Sequence, residues 1–498
     1  MTDELTRLAN SVLWPGFFGT DAPAWLRTAL KDDLAGVVYF GQNISADLPA
    51  LSAQIRAANP HALIGIDEEG GSVTRLEVGT GSTLPGAAQL GVVDDVAASR
   101  ATGAELARRA HAAGIDVVLG PVADVNTDPR NPVIGVRSFG ADAALVSRHV
   151  AATVEGMQGG GIAACVKHFP GHGDTHLDSH HALPVINLDP AEIEDVHLAP
   201  FRAAIAAGVD SIMTAHIVVP EWGEQPATLN AAVLGRLRTM GFDGVIITDA
   251  LDMAAIRESV GIGGGAVQSL AAGADLLCIG NPTNPGAAAR ADQDESDYLT
   301  AREAIVAALR DGTLPRERVE QARDRVRMLA KKLAGAATAH ADASDEAPYD
   351  AADIVSRALR VTHVTDGVAD AAASALSVID ARRRSTLAVD SAASYVADAL
   401  AGDGFRVRLD VERATEEERD AALDAAIAAE GRLVLLVDRP DVDAAQRALV
   451  ELAADRDPSA VVVNVGLPAR HPLPLPIVEV AAASRVGAEA ARAMLLGR

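Results

Sequence analysis

The sequence Gly244-Val-Ile-Ile-Thr-Asp249 shows the pattern that decides the fold, a short β-branched run that ends on an ionisable residue. Short β-branched runs recur through the first two thirds of the chain and alternate with Ala- and Leu-rich segments of helical period, which is typical of parallel βα units. We predict eight such strands, at residues 12–18, 36–40, 63–66, 117–122, 163–167, 211–215, 244–248 and 275–279. Eight repeats predict an α/β fold of the (β/α)8 or TIM-barrel type.

A closing helix, a linker-like stretch and a second set of strands indicate that the chain has two domains. Helices are predicted at residues 97–113, 142–157 and 198–207, and a charged amphipathic helix at 317–333 closes the barrel region. Residues 334–350 are rich in Ala, Asp and His without apolar periodicity, as in linkers. Six further strands are predicted at residues 376–379, 386–389, 406–409, 433–437, 460–465 and 477–480. We therefore predict a catalytic barrel over residues 1–335, a linker over 336–350 and a smaller αβα-layered domain over 351–498.

The charge and the cysteine content exclude several functional classes. The 498 residues include 68 acidic side chains against 43 Lys and Arg, a net charge of −25 that repels phosphate backbones and anionic lipids. We therefore expect neither nucleic acid nor membrane as a partner. Cys165 and Cys278 each lie in an apolar run, which excludes a disulfide framework. The N-terminal residues show no secretory signal and no apolar stretch is long enough to span a bilayer, so we expect a cytoplasmic protein.

Polar side chains follow one predicted strand after another. Because the C-terminal ends of barrel strands meet on the face that carries active sites, we expect these side chains to converge there. They are Asp67, Asp124, Lys167, His168, His216 and Asp249. The glycine-rich stretch GIGGGA (261–266) does not directly follow a strand and lacks the end of a phosphate-binding loop, so we interpret it as a flexible turn.

The segment after the fifth strand, Lys167 to His181, contains the densest group of ionisable residues and permits three interpretations. It could hold a metal, because its side chains include the ligand types of zinc hydrolases. It could perform acid–base chemistry, with Asp178 orienting His180. It could also only pin a loop. The possible metal ligands are His172, Asp174, His176, Asp178, His180 and His181.

Asp249 ends a buried strand, where a carboxylate suits nucleophilic attack on a developing oxocarbenium carbon. The same residue could instead cap the helix that follows. The residues alone leave both interpretations open.

Four stretches together resemble glycoside hydrolase family 3, and within it the β-N-acetylglucosaminidases of peptidoglycan recycling. They are KHFPGHGDTHLDSH (167–180), IDEEGG (66–71), NPVIGVRSFG (131–140) and GFDGVIITDAL (241–251). The resemblance implies a barrel often followed by an αβα sandwich. Glu68 and Ser72 depart from the residues frequent in the family, and we expect them to affect the rim of the site only.

The resemblance also implies roles for individual residues. Asp249 matches the nucleophile that forms a glycosyl-enzyme intermediate, His180 matches the acid/base and Asp178 matches its partner in a dyad. Positions that contact the sugar are matched by Asp67, Arg75, Arg137, Lys167 and His168, and a polar pocket residue by His216. No cofactor and no metal is implied.

The function that follows is retaining hydrolysis of terminal β-linked N-acetylglucosamine. The expected partner is a small carbohydrate such as an N-acetylglucosaminide, a muropeptide or a chitooligosaccharide. Four alternatives stay open: a phosphorylase of the same substrates, a family 3 β-glycosidase with another sugar specificity, a metal-dependent hydrolase, and a sugar-binding protein without catalysis. The sequence fixes neither the natural leaving group nor the oligomeric state.

Overall fold

The first 339 residues alternate strands and helices in a computed structural model that describes residues 3–175, 183–339, 349–362, 374–383 and 394–497. The strands are β1 (Leu13–Pro15), β2 (Gly36–Tyr39), β3 (Leu63–Ile66), β4 (Val117–Val118), β5 (Ala163–Phe169), β6 (Ser211–Thr214), β7 (Val245–Ile247) and β8 (Leu277–Gly280). The helices are α1 (Glu4–Asn10), α2 (Ala24–Lys31), α3 (Leu48–Ala58), α4 (Ala87–Val93), α5 (Val96–Ala112), α6 (Ala143–Gly159), α7 (Pro190–Glu192), α8 (Ala199–Ala206), α9 (Ala231–Thr239), α10 (Ala254–Arg257), α11 (Gly261–Ala272), α12 (Gln293–Asp311) and α13 (Arg316–Ala339). A π-helical turn covers Ile193–His197.

The strands follow one another in chain order, as in a TIM-type barrel. Strands β2 to β7 form one parallel sheet, and β8 pairs in parallel with β1. A bridge between Ile247 and Leu276 connects β7 to the start of β8. The predicted α/β barrel is therefore confirmed, and every predicted strand of this region overlaps an observed one.

The interior of the barrel is apolar and is covered at one side by α13. Trp14 is fully buried and donates its indole N–H to the carbonyl of Leu63 at 2.8 Å. Val326, Leu329 and other apolar residues of α13 pack into the same cluster. The predicted amphipathic helix is therefore confirmed, and it continues to Ala339 instead of ending at residue 333.

The interpretation of residues 261–266 as a flexible turn is wrong, because these residues begin α11. A Cβ on Gly265 would lie 2.6 Å from Ile256 Cγ2, and a Cβ on Gly263 would lie 3.0 Å from Ala304 Cβ. The glycines therefore allow α11 to pack closely on its neighbours, and this packing outweighs their low helix propensity.

The C-terminal part contains a second α/β sheet. Its strands are β9 (Arg360–Thr362), β10 (Leu376–Asp380), β11 (Arg406–Arg408), β12 (Arg432–Val437), β13 (Val461–Asn464) and β14 (Ile477–Glu479). Its helices are α14 (Ala351–Ala358), α15 (Ser394–Ala401), α16 (Glu416–Ala428), α17 (Ala444–Arg456) and α18 (Arg485–Leu495). The sheet order is β11-β10-β12-β13-β14-β9, with only β9 antiparallel to its neighbour.

Apolar clusters that contain helix residues cover both faces of this sheet, which confirms the layered α/β architecture of the second domain. The edge strand β9 was missed, because its three residues carry no strand pattern of their own. The strand predicted at residues 386–389 lies outside the described residues.

Two segments from within the first 335 residues pack in the second compact unit. That unit comprises Glu69–Ala98, Gly135–Gly140 and Asp350–Arg498, and the first comprises Met1–Glu68, Ser99–Ile134 and Ala141–Tyr349. In the second unit, Gln89 donates its side-chain amide to the carbonyl of Val480, and Ser72 accepts a hydrogen bond from the Ala483 N–H, both at 2.9 Å. The predicted domain limits stay predictions.

Candidate active site

Asp67 and Lys167 lie at the C-terminal ends of β3 and β5. The ammonium group of Lys167 donates to Asp67 Oδ1 at 2.6 Å. The lysine side chain is buried, whereas 22% of the aspartate side chain is exposed. The pair therefore fixes a carboxylate at the end of the barrel while leaving part of it accessible to a polar ligand.

Asp124, fully buried after β4, organises the start of the loop that follows β5. It accepts hydrogen bonds from the His168 N–H at 3.2 Å, from His168 Nδ1 at 2.7 Å and from the His172 N–H at 2.7 Å. Burial would raise the pKa of Asp124, but the charge and hydrogen bonds of His168, together with the hydrogen bond from the His172 N–H, hold that pKa below its ordinary value. No described residue bonds Nε2 of His168, so this nitrogen can face a ligand.

His172 has a structural role in the loop that follows β5, and its ring is uncharged. Complete burial, together with the charge of neighbouring His168, lowers the pKa of His172 to about 4, so the ring is neutral at pH 7. Its Nδ1 lies 2.9 Å from the Thr175 hydroxyl, and its carbonyl accepts from the Asn131 amide at 2.8 Å. A Cβ on Gly173 would lie 1.8 Å from the Val125 carbonyl oxygen, so only glycine permits this approach.

Asp249 follows β7 and is partly exposed. Its Oδ1 accepts a hydrogen bond from the N–H of Ala250 at 2.8 Å. His216 is fully buried, with Nε2 2.8 Å from the carbonyl of Ala250 and Nδ1 2.9 Å from the Thr228 hydroxyl. His216 therefore holds the residue next to Asp249 in place, and both of its ring nitrogens are already engaged.

The charges of Asp67 and Asp249 both affect the pKa values of two buried thiols, those of Cys165 and Cys278. Burial raises the pKa of Cys165 to about 12, with Asp67 and Asp249 also raising it and Lys167 opposing them. Burial likewise raises the pKa of Cys278 far above its ordinary value, and Asp249 and Asp67 again contribute. Both carboxylates are therefore close enough to act on the same two side chains.

Arg137 and Arg75 belong to the second compact unit. Arg137 makes a two-pronged ion pair with Glu69, with nitrogen–oxygen distances of 2.9 and 2.7 Å, and both side chains are buried. Arg75 is half-buried. Sequence reasoning missed Glu69 as the partner of Arg137, although it lies within the quoted stretch IDEEGG.

The predicted acid/base pair, Asp178 and His180, lies outside the described residues, as do His176 and His181. In the described part of the chain, no group of three or more His, Cys, Asp or Glu side chains is arranged to hold a metal ion. None of the helices described is both long and apolar enough to cross a membrane.

Comparison with known proteins places this geometry in context. Residues 21–329 match the family model described as the glycosyl hydrolase family 3 N-terminal domain. A β-hexosaminidase of Xanthomonas oryzae pv. oryzae is 37% identical over 282 residues, which cover 54% of this chain and 83% of that protein.

Solved structures match the whole chain. A glycoside hydrolase family 3 β-N-acetylglucosaminidase from Paenibacillus sp. FPU-7 is 30% identical, with a TM-score of 0.84, and the match covers 100% of this chain and 97% of the other. A β-glucoside phosphorylase is 18% identical, with a TM-score of 0.75 and coverage of 100% and 92%, and this likeness concerns the fold alone.

Proposed function

The chain belongs to glycosyl hydrolase family 3, and we propose that it is a retaining β-N-acetylhexosaminidase that removes terminal β-linked N-acetylglucosamine. One observation carries the proposal: a partly exposed carboxylate, Asp249, follows barrel strand β7 and is oriented by a hydrogen bond from its neighbouring peptide N–H. The names of the relatives in Xanthomonas and Paenibacillus support the choice of sugar.

In the first step, Asp249 forms the new bond to the anomeric carbon and the glycosidic bond breaks. The proton of His180 passes to the departing oxygen, so the leaving group departs as an alcohol. The hydrogen bond from the Ala250 N–H orients the attacking carboxylate, and His216 holds Ala250. Preorganisation of this kind lowers the barrier because the nucleophile does not have to be reoriented during the reaction.

In the second step, water attacks the anomeric carbon and its proton passes to His180, while the bond to Asp249 breaks and the sugar leaves with its configuration retained. A carboxylate partner favours the protonated imidazole, and we assign that role to Asp178, two residues before His180 in the sequence, so that an acid is available near neutral pH. The pair therefore replaces the second carboxyl group that most retaining glycosidases use.

We assign binding of the sugar hydroxyls to Asp67, Lys167 and His168. The partly exposed Asp67 carboxylate accepts hydrogen bonds from hydroxyls, and Nε2 of His168 supplies another polar contact. We further propose that the enzyme acts in the cytoplasm on fragments released during peptidoglycan recycling. The net charge of −25 supports a small soluble substrate over an anionic polymer.

The function is tested by comparing turnover of nitrophenyl N-acetylglucosaminide, glucoside and xyloside, each with and without phosphate. We expect the N-acetylglucosaminide to be turned over fastest, with free sugar as product and no dependence of the rate on phosphate. Release of sugar 1-phosphate at a phosphate-dependent rate would instead identify a phosphorylase. Preference for the glucoside or the xyloside would contradict the proposed sugar specificity.

The covalent step is tested by labelling. A fluorinated glycosyl donor should leave its sugar on Asp249, detected by peptide mass spectrometry after digestion. Label on another residue would contradict the assignment of the nucleophile. Pretreatment with a chelator should change neither rate nor labelling, whereas a loss restored by zinc would favour the metal-dependent alternative.

A further inference from the structure

Asp252, the third residue after Asp249, contains a buried carboxyl group that the proposed mechanism does not use. The turn that contains both residues runs along β8, because the N–H groups of Leu251 and Asp252 donate to the carbonyls of Cys278 and Ile279, each at 3.0 Å. Asp252 is 3% exposed. Asp252 is therefore a buried part of the same short segment that contains Asp249.

The two carboxyl oxygens of Asp252 have different surroundings. Oδ2 accepts a hydrogen bond from the side-chain amide of Asn284 at 2.9 Å. Oδ1 is buried and has no hydrogen-bond partner in the described part of the chain. An ionised carboxylate needs several donors, so a single neutral amide satisfies only a small part of its demand.

Gly280, the last residue of β8, makes room for Oδ1 of Asp252. Its φ of +118° disfavours other residues, and a Cβ placed on it would lie 1.9 Å from that oxygen. The turn after β7, the end of β8 and the loop that carries Asn284 therefore meet at this one carboxyl group.

Arg257, the cation that acts on Asp252, does not form an ion pair with its carboxyl group. Arg257 on α10 donates to the main-chain carbonyl of Asp252 and to the Asp297 carboxylate, both at 3.0 Å, and has no hydrogen bond to the Asp252 carboxyl group. Asp297 on α12 also accepts from Gln293 at 2.8 Å. Burial raises the pKa of Asp252 well above its ordinary value; Arg257 and Asn284 oppose this, and the charges of Asp297 and Asp249 add to it.

We propose that Asp252 is a positioning residue for Asp249: as an uncharged carboxylic acid, it ties the turn after β7 to Asn284 in the loop after β8. The inference rests on the proposed role of Asp249 as nucleophile. A neutral Asp252 leaves Asp249 as the one negative charge of the Asp249–Asp252 turn. A second charge there would favour protonation of the nucleophile and weaken it.

The first test compares Asp252→Ala, Asp252→Asn and Asn284→Ala. Kinetics are measured on whichever nitrophenyl glycoside the wild type turns over fastest, so a wrong sugar assignment leaves this comparison intact. Asp252→Ala should lower kcat about 100-fold with little change in KM, because the nucleophile loses its alignment. Asp252→Asn, which is neutral and of the same shape, should recover at least tenfold of that loss.

The partner side of the contact provides a second measurement. Asn284→Ala should lower kcat in the same direction, and the double variant Asp252→Ala with Asn284→Ala should lose less than the product of the two single losses. Circular dichroism checks that each variant is folded. Unchanged kcat in folded Asp252→Ala, or no recovery in folded Asp252→Asn, would overturn the proposal, and so would independent effects in the double variant.

The protonation state is tested without any activity measurement. A carboxyl group whose pKa is raised by folding stabilises the fold fully below the unfolded pKa, and that contribution is lost as pH rises through the folded pKa. The Tm of the wild type relative to Asp252→Asn should therefore fall steadily as pH rises from about 4. Asp243→Asn, an exposed residue just before β7, is the matched control and should show no such trend. A wild-type Tm that rises relative to Asp252→Asn over the same range would overturn the neutral carboxyl group.

Discussion

The two ends of the barrel use the same residue type, aspartate, in opposite ways. At the N-terminal end, Asp275 before β8 is fully buried and accepts from Arg238 at 2.5 Å, Arg318 at 2.6 Å, Arg325 at 3.2 Å and the Ile246 N–H at 3.1 Å. At the C-terminal end, Asp249 is partly exposed, and its Oδ1 accepts a hydrogen bond from the N–H of Ala250 at 2.8 Å.

The two ends differ in the groups that form hydrogen bonds and ion pairs with each carboxylate. Permanent cations from α9 and α13 surround Asp275, so its charge joins the helices to the barrel and is unavailable for chemistry. At the other end the partners are titratable or leave the carboxylate accessible, as with Asp124 and Asp67. The N-terminal end should therefore govern stability and the C-terminal end activity.

The largest effect is expected for Asp249→Asn. Removal of the nucleophile should lower kcat by a factor on the order of 10⁴ or more, because the neutral amide of Asn cannot form the covalent intermediate as the carboxylate does. The Tm should stay near that of the wild type, since the side chain is partly exposed. Steady-state kinetics and thermal unfolding measure the two quantities. If Asp249→Asn kept a tenth of the wild-type activity, the assignment of Asp249 as the nucleophile would be wrong.

The opposite pattern is expected for Asp275→Ala. Three guanidinium groups would lose a shared buried partner, and breaking a buried ion pair costs about 3–5 kcal/mol. Urea unfolding should show this loss, whereas kcat per folded molecule should match that of the wild type. If kcat fell with stability unchanged, the contrast between the two ends would be wrong.

A pH-dependent effect of intermediate size is expected at His172. Its folded pKa of about 4 lies below the unfolded value, so the unfolded chain binds a proton as pH falls below about 6.5 while the folded chain does not. Stability should therefore fall between pH 6.5 and 4, by roughly 3 kcal/mol from this group alone. The variant His172→Gln should show a shallower decline in urea unfolding over that range. An unchanged slope would mean that the ring is not held neutral.

The architecture of the barrel could be predicted because short strand-like runs alternate with segments of helical period, and several of these runs end on an ionisable residue. The rim residues Asp67, Lys167, His168 and Asp249 could be predicted for the same reason. What the sequence could not provide are long-range pairings: Glu69 with Arg137, and Asp252 with Asn284. These depend on which loops meet, and no local period encodes that. The helix at residues 261–272 was not predicted, because its glycines are needed for close packing against neighbouring helices and do not form a turn.

The smallest effect is expected for Lys332→Met, which tests whether exposure or position decides the cost of losing an ion pair at the N-terminal end. Asp210 stands before β6 as Asp275 stands before β8, and it accepts from Lys332 at 2.6 Å. The lysine side chain is 55% exposed, whereas Arg318, which pairs with Asp275, is 16% exposed. Water and salt screen an exposed pair, so we expect a loss of about 1 kcal/mol or less in urea unfolding and no change in kcat.

Because burial raises the pKa of Asp210 against the opposing effect of Lys332, loss of the lysine should raise that pKa further and leave the carboxyl group closer to neutrality. The variant Lys331→Met, an exposed neighbour on α13, is the matched control. A loss as large as that of Asp275→Ala would show that position alone, and not burial of the partner, sets the energetic weight of the carboxylates at this end.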